Sequence, residues 1–164
     1  MHPFKLFSLV LLLLTTACGF HLRGMGGVNR PLPYAAWQIT QTQELEEYLH
    51  DELKRHSVQV VRSDNAADAA EIHLIKLERS RDVGSLSRIG TVSEYILTLK
   101  VAAEVRFQGA IQGEPIRITL QRKQSYWDND LFGKQQEEQA LWDDMYQDAA
   151  VQIVRRLPYI QANQ

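Results

Sequence analysis

Cysteine occurs once in these 164 residues, at position 18. No intramolecular disulfide can form, so stability has to come from a packed core. After Leu14 there is no second long apolar run, which leaves no downstream segment of the roughly 20 apolar residues that a membrane-crossing helix needs. Basic charge is not in excess either. Eighteen Lys and Arg face 20 Asp and Glu, the opposite of the balance expected in a protein that coats nucleic acid. Internal repeats and low-complexity tracts are absent.

The usual chemical constellations are missing as well. The five histidines, at 2, 21, 50, 56 and 73, form no metal-binding pair four apart on one helix. Glu47 and His50 make one Glu-x-x-His pair, and a bundle di-iron site needs two. Gly84 to Gly90 lacks the glycine spacing of a nucleophile elbow. Adjacent Asp143 and Asp144 point to different faces of a helix and cannot share a reacting bond. The run beginning Asp128-Asn129-Asp130 opens like a calcium loop, yet Phe132 and Gln139 stand where oxygen ligands are required. Gly24, Gly26 and Gly27 follow no strand and precede no P-loop lysine. The residues therefore give no support to an enzyme, and no cofactor or metal is expected.

What is present begins with an address. Lys5 precedes an apolar run from Leu6 to Leu14 of about nine residues, the order of a secretory signal and too short to span a bilayer. Thr15-Thr16-Ala17 before Cys18 resembles the lipobox of bacterial lipoproteins, in which the cysteine thiol is diacylated and the chain is cut ahead of it; position −3 is Thr15, where Leu is commoner. Residues 1–17 thus read as signal peptide, 18–33 as lipidated N-terminus and Gly/Pro-rich spacer, 34–160 as one domain and 161–164 as a short tail. Without the signal peptide, 17 basic residues face 20 acidic ones, a mildly acidic chain held at a membrane by lipid and not by a spanning helix.

Within the domain, 36–40 reads as a short strand. Leu45, Tyr48, Leu49 and Leu53 then give an amphipathic helix over about 43–56. Strands follow at 58–61 and 71–79, then a flexible hairpin loop from Ser80 to Gly90. Tyr95, Leu97, Leu99, Val101, Ala103, Val105 and Phe107 alternate with mostly polar residues, the mark of a half-buried antiparallel strand with one wet side. Gln108 to Glu114 reads as a turn, and 115–127 as the partner strand with Ile116, Ile118 and Leu120 inward. The last helix, about 135–157, carries Leu141, Trp142, Met145, Tyr146, Ala149, Ile153, Val154 and Leu157 as one stripe, with Glu137 and Glu138 near its start; Pro158 stops it. The fold class is α+β, two helices packed on a small, mainly antiparallel sheet of four to five strands.

Cys18-Gly19-Phe20-His21-Leu22-Arg23, followed in order by Ser87-Arg88-Ile89-Gly90, Ser93-Glu94-Tyr95, Asp128-Asn129 with Lys134, Met145-Tyr146 and Arg155-Arg156-Leu157-Pro158, resembles the lipopolysaccharide-assembly lipoprotein family, LptE. The resemblance implies an outer-membrane lipoprotein facing the periplasm of a Gram-negative bacterium. Its partner would be the LptD β-barrel, which such proteins plug and help assemble while lipopolysaccharide passes to the outer leaflet. Gly19 after the cysteine fits outward sorting. Cys18 is then the lipid attachment site. Lipid A is anionic, so Arg88 and Lys134 are the leading lipopolysaccharide-binding candidates, with Arg79, Arg81, Arg122 and Lys123 as neighbours. Solvated surface charge is the competing reading of Arg88 and Lys134. A general periplasmic lipid-binding or adaptor lipoprotein is the alternative function.

Overall fold

Alternating apolar residues make β4, Val92–Phe107, a principal core strand of the domain. Leu97, Leu99, Val101, Ala103 and Val105 are buried along one of its faces, each large side chain contributing on the order of 1.5–3 kcal/mol by leaving water. In the computed structural model the described residues are 31–41, 44–61, 68–126 and 131–160. Cys18, Trp127 and the Asp128-Asn129-Asp130 run lie outside them.

The element order is β1 (Ala36–Thr40), α1 (Glu46–Arg55), β2 (Gln59–Val61), β3 (Ala70–Leu86), β4, β5 (Ala110–Ser125) and α2 (Leu131–Arg156), ending in a 3₁₀ turn at Leu157–Tyr159. The five-stranded sheet runs β2-β1-β3-β4-β5. β1 pairs in parallel with β2 and β3, whereas β3, β4 and β5 form an antiparallel meander. Two helices on a mainly antiparallel sheet of five strands match the α+β expectation. Leu45, Leu49 and Leu53 seat α1, and Trp142, Met145, Tyr146, Ala149, Ile153 and Val154 seat α2. Ser57, at φ 58°, closes α1 in the left-handed region.

Four expectations need correction. β3 runs on to Leu86, so most of the expected loop after Arg79 is strand; its front positions beyond the core are Arg81 and Val83, which hides the apolar alternation while the ladder to β4 continues. The turn before β5 is only Gln108–Gly109, both at positive φ as a tight hairpin requires, and β5 starts at Ala110. Pro115 is tolerated there because β5 is an edge strand. Helix α2 begins at Leu131, so Glu137 and Glu138 lie in its second turn, not its first. The wet face of β4 is not wholly wet: Thr98, with Gln121 donating to its hydroxyl at 3.3 Å, and Glu104, paired with Arg106, are buried there.

Candidate functional site

β3 and β4 outrun the core at the end of the sheet remote from Gln108–Gly109. The last row with a fully buried apolar residue on the helix side is Arg81–Leu97–Arg122 across β3, β4 and β5, and Val83–Tyr95–Gln124, whose buried member is polar, comes next. Beyond these, Leu86 pairs with Val92, and the chain reverses through Ser87, Arg88, Ile89 and Gly90. The Gly90 amide donates to the Ser87 carbonyl at 3.0 Å, and Gly90 itself sits at φ +82°, a conformation that glycine adopts without strain. The Ser87 amide donates to the Thr91 carbonyl at 2.7 Å, the two hydroxyls of this pair meet at 2.7 Å, and those of Ser85 and Ser93 at 2.8 Å. The tip is a stapled β-hairpin, not a slack loop.

Arg88 stands at its apex, exposed, with no hydrogen bond or ion pair to any described residue. Its apolar neighbours also face water: Val83 is 55% exposed, Leu86 60% and Ile89 86%.

Lys134 arrives at the same end of the sheet from α2. Its carbonyl accepts from the side-chain amide of Gln124 at 2.8 Å, which docks the start of the helix on the Val83–Tyr95–Gln124 row. Its ammonium lies 2.6 Å from Glu137, an i,i+3 surface pair of the kind that contributes little and exchanges readily.

The three arginines are more firmly committed. Arg79 lies over the Trp142 ring at 4.9 Å, donates to the Tyr146 hydroxyl at 3.4 Å and approaches Glu44 at 3.8 Å. That hydrogen bond is the main cause holding its guanidinium above the usual arginine range. Arg81 stacks on Tyr95 at 3.8 Å, with Tyr126 at 5.9 Å and Glu138 at 3.5 Å. Arg122 donates through Nε to Asp144 at 2.9 Å and through Nη2 to Asp148; these two hydrogen bonds push its pKa up. All three therefore point at α2. Lys123 projects from the other face of the sheet and meets Glu94 at 3.3 Å.

The tip thus joins a cation without a partner among the described residues to three exposed apolar side chains, and the sequence from Val83 to Val92 carries no carboxylate. Such a surface suits an anionic amphiphile. Reading 80–90 as a loop missed Val83, Leu86 and Ile89. Gln124 was missed too, although a glutamine on the inward parity of Ile116, Ile118 and Leu120 is itself a signal of a buried polar tie.

A protein-family model described as LptE, lipopolysaccharide-assembly, matches residues 35–157. The chain belongs to the LptE family. It is 29% identical over 166 residues to the LPS-assembly lipoprotein LptE of Pectobacterium atrosepticum, covering 98% of this chain and 89% of that protein. To the protein of the same name in Photorhabdus laumondii it is 32% identical over 151 residues, covering 88% and 79%. The crystal structure of a minor lipoprotein from Acinetobacter baumannii superposes with a TM-score of 0.68 at 24% identity, over 82% of this chain and 99% of that one, and so shares the fold. These LptE relatives are lipoproteins by name, as the segment before Cys18 led one to expect.

Proposed function

We propose that this LptE-family chain is an outer-membrane lipoprotein, acylated at Cys18, that plugs and helps assemble the LptD β-barrel and contacts lipopolysaccharide through Arg88 and Lys134. The observation that carries the lipid contact is the stapled hairpin tip, which presents Arg88 with no ion pair to any described carboxylate while Gln124 fixes the start of the helix that carries Lys134 at the same end of the sheet. Binding a phosphate to these two residues displaces at most one weak surface ion pair. Arg79, Arg81, Arg122 and Lys123 already hold carboxylate or aromatic partners, so their part is to shape and brace that end.

Two measurements test the reading. Solubilised outer membrane should release the chain with a large β-barrel at one-to-one stoichiometry; a free chain sinks the plug assignment. In that complex Arg88→Glu with Lys134→Glu should weaken lipopolysaccharide binding at least tenfold while the barrel stays bound. Unchanged binding sinks the site.

A further inference from the structure

We infer that Leu86 and Ile89 form an acyl-chain contact at the hairpin tip, so that the ligand is gripped by its hydrocarbon as well as by its phosphates. The inference rests on the proposed reading of lipopolysaccharide as the ligand of this end of the domain, and it adds residues and a chemistry that charge alone does not supply.

Among the described residues the exposed large hydrophobics are Ile75, Val83, Leu86, Ile89, Ile111 and Tyr159. Three of these six fall within seven positions of one hairpin, which is clustering and not the single scatter normal on a surface. Burial within the domain does not explain them. Helix α2 docks on the tip side of the core through Gln124 and Arg81, and the strands carry Leu86 and Ile89 past that point. Solvent exposure of apolar groups is unfavourable by about 25 cal/mol per Å², yet the chain spends four side-chain and backbone ties, at Ser85–Ser93 and Ser87–Thr91, on holding the segment in place. A fixed tip presents its apolar side chains without an ordering cost on binding.

The surroundings select the occupant. Arg88 lies between Leu86 and Ile89 in the turn, and the stretch from Val83 to Val92 has no acidic residue in a chain that has 20. A cationic or purely apolar partner would leave Arg88 uncompensated. A free phosphate or sugar would leave Leu86 and Ile89 wet. A phosphorylated, acylated glycolipid satisfies both.

The test uses the lipidated full chain in phosphatidylcholine nanodiscs, titrated with intact lipopolysaccharide and with the same material stripped of its acyl chains but keeping its phosphates. Wild type should bind the intact form more tightly. Leu86→Ser with Ile89→Ser should weaken binding of the intact form about tenfold, leave the deacylated form unchanged, and keep the wild-type melting temperature because both side chains are exposed. Leu86→Val with Ile89→Val should retain most of the affinity, and Arg88→Glu should weaken both forms. Wild-type affinity for the intact form in the serine double variant overturns the inference, as does an equal loss toward the deacylated form. If that variant loses association with phosphatidylglycerol vesicles as much as with lipopolysaccharide, the tip is a general membrane wedge and the assignment to lipopolysaccharide falls. Wild type that binds neither form overturns the underlying reading instead.

Discussion

The side-chain amide of Gln124 donates to the backbone carbonyl of Lys134 at 2.8 Å, joining the far end of β5 to the first turn of the long helix. Gln124 is 1% exposed, and its Oε1 has no partner among the described residues. Gln124→Ala should therefore cost about 1–2 kcal/mol, the loss of a buried hydrogen bond and its packing. Gln124→Leu should cost less, since it fills the space and removes the unsatisfied oxygen. Urea unfolding of the two variants checks the order, and faster amide exchange confined to the start of α2 would place the effect.

Arg122 divides its guanidinium between Asp144 and Asp148, one helical turn apart on α2. All three side chains are partly exposed, so solvent screens the pairs. A double-mutant cycle of Arg122→Ala with Asp148→Ala should give a coupling of about 0.5–1 kcal/mol that shrinks in 1 M salt. A coupling that ignores salt would contradict this.

Burial, helped by the hydrogen bond to Glu44 and opposed by Arg79, pushes the Tyr146 phenol up from 10.0 to about 12. Below pH 10 folded and unfolded chains both keep this proton, and the fold has the full benefit. Between pH 10 and 12 the unfolded chain ionises first and holds fewer protons, so stability falls as pH rises through that window. Tyr48 is shifted the same way by burial and by Asp143. Tyr146→Phe should flatten the decline without abolishing it. Ultraviolet titration of the wild type should show two of the six tyrosines ionising late.

Gly113 sits at φ +66°, and a Cβ there would lie 3.2 Å from Ile160 Cγ2. Gly113→Ala combines backbone strain with that contact and should destabilise by about 1–2 kcal/mol. Ile160→Ala in the same chain should recover the steric part only. Thermal melts of the single and double variants separate the two.

Where burial dictates residue type, the sequence is easy to read. β4 follows from its alternation, and the stripes Leu45-Leu49-Leu53 and Trp142-Met145-Tyr146-Ala149-Ile153 mark both helices. The end of the sheet is harder because its residues answer to no core: Arg81 and Val83 continue a strand that only the ladder to β4 sustains. Arg88 and Lys134 could be named from the family motif, whereas the placing of Lys134 at the hairpin end of the sheet follows from a bond between Gln124 and a backbone carbonyl that no side-chain pattern encodes. The ion pairs of Arg79 and Arg122 were equally hidden, since they depend on which helix face crosses which strand.

The mixed sheet also sets an order of assembly. β3, β4 and β5 are joined by tight turns and can zip up through near neighbours, whereas β1, the first strand to be made, has to wait for β2 and β3 on either side. Closing those parallel pairs requires a whole intervening helix and longer loops, the slow, high-separation contacts of a folding chain. A nascent chain crossing a membrane from its N-terminus would thus carry one edge of β1 unpaired until Ala70 to His73 had followed it through, and the first strand to emerge would be among the last to lock.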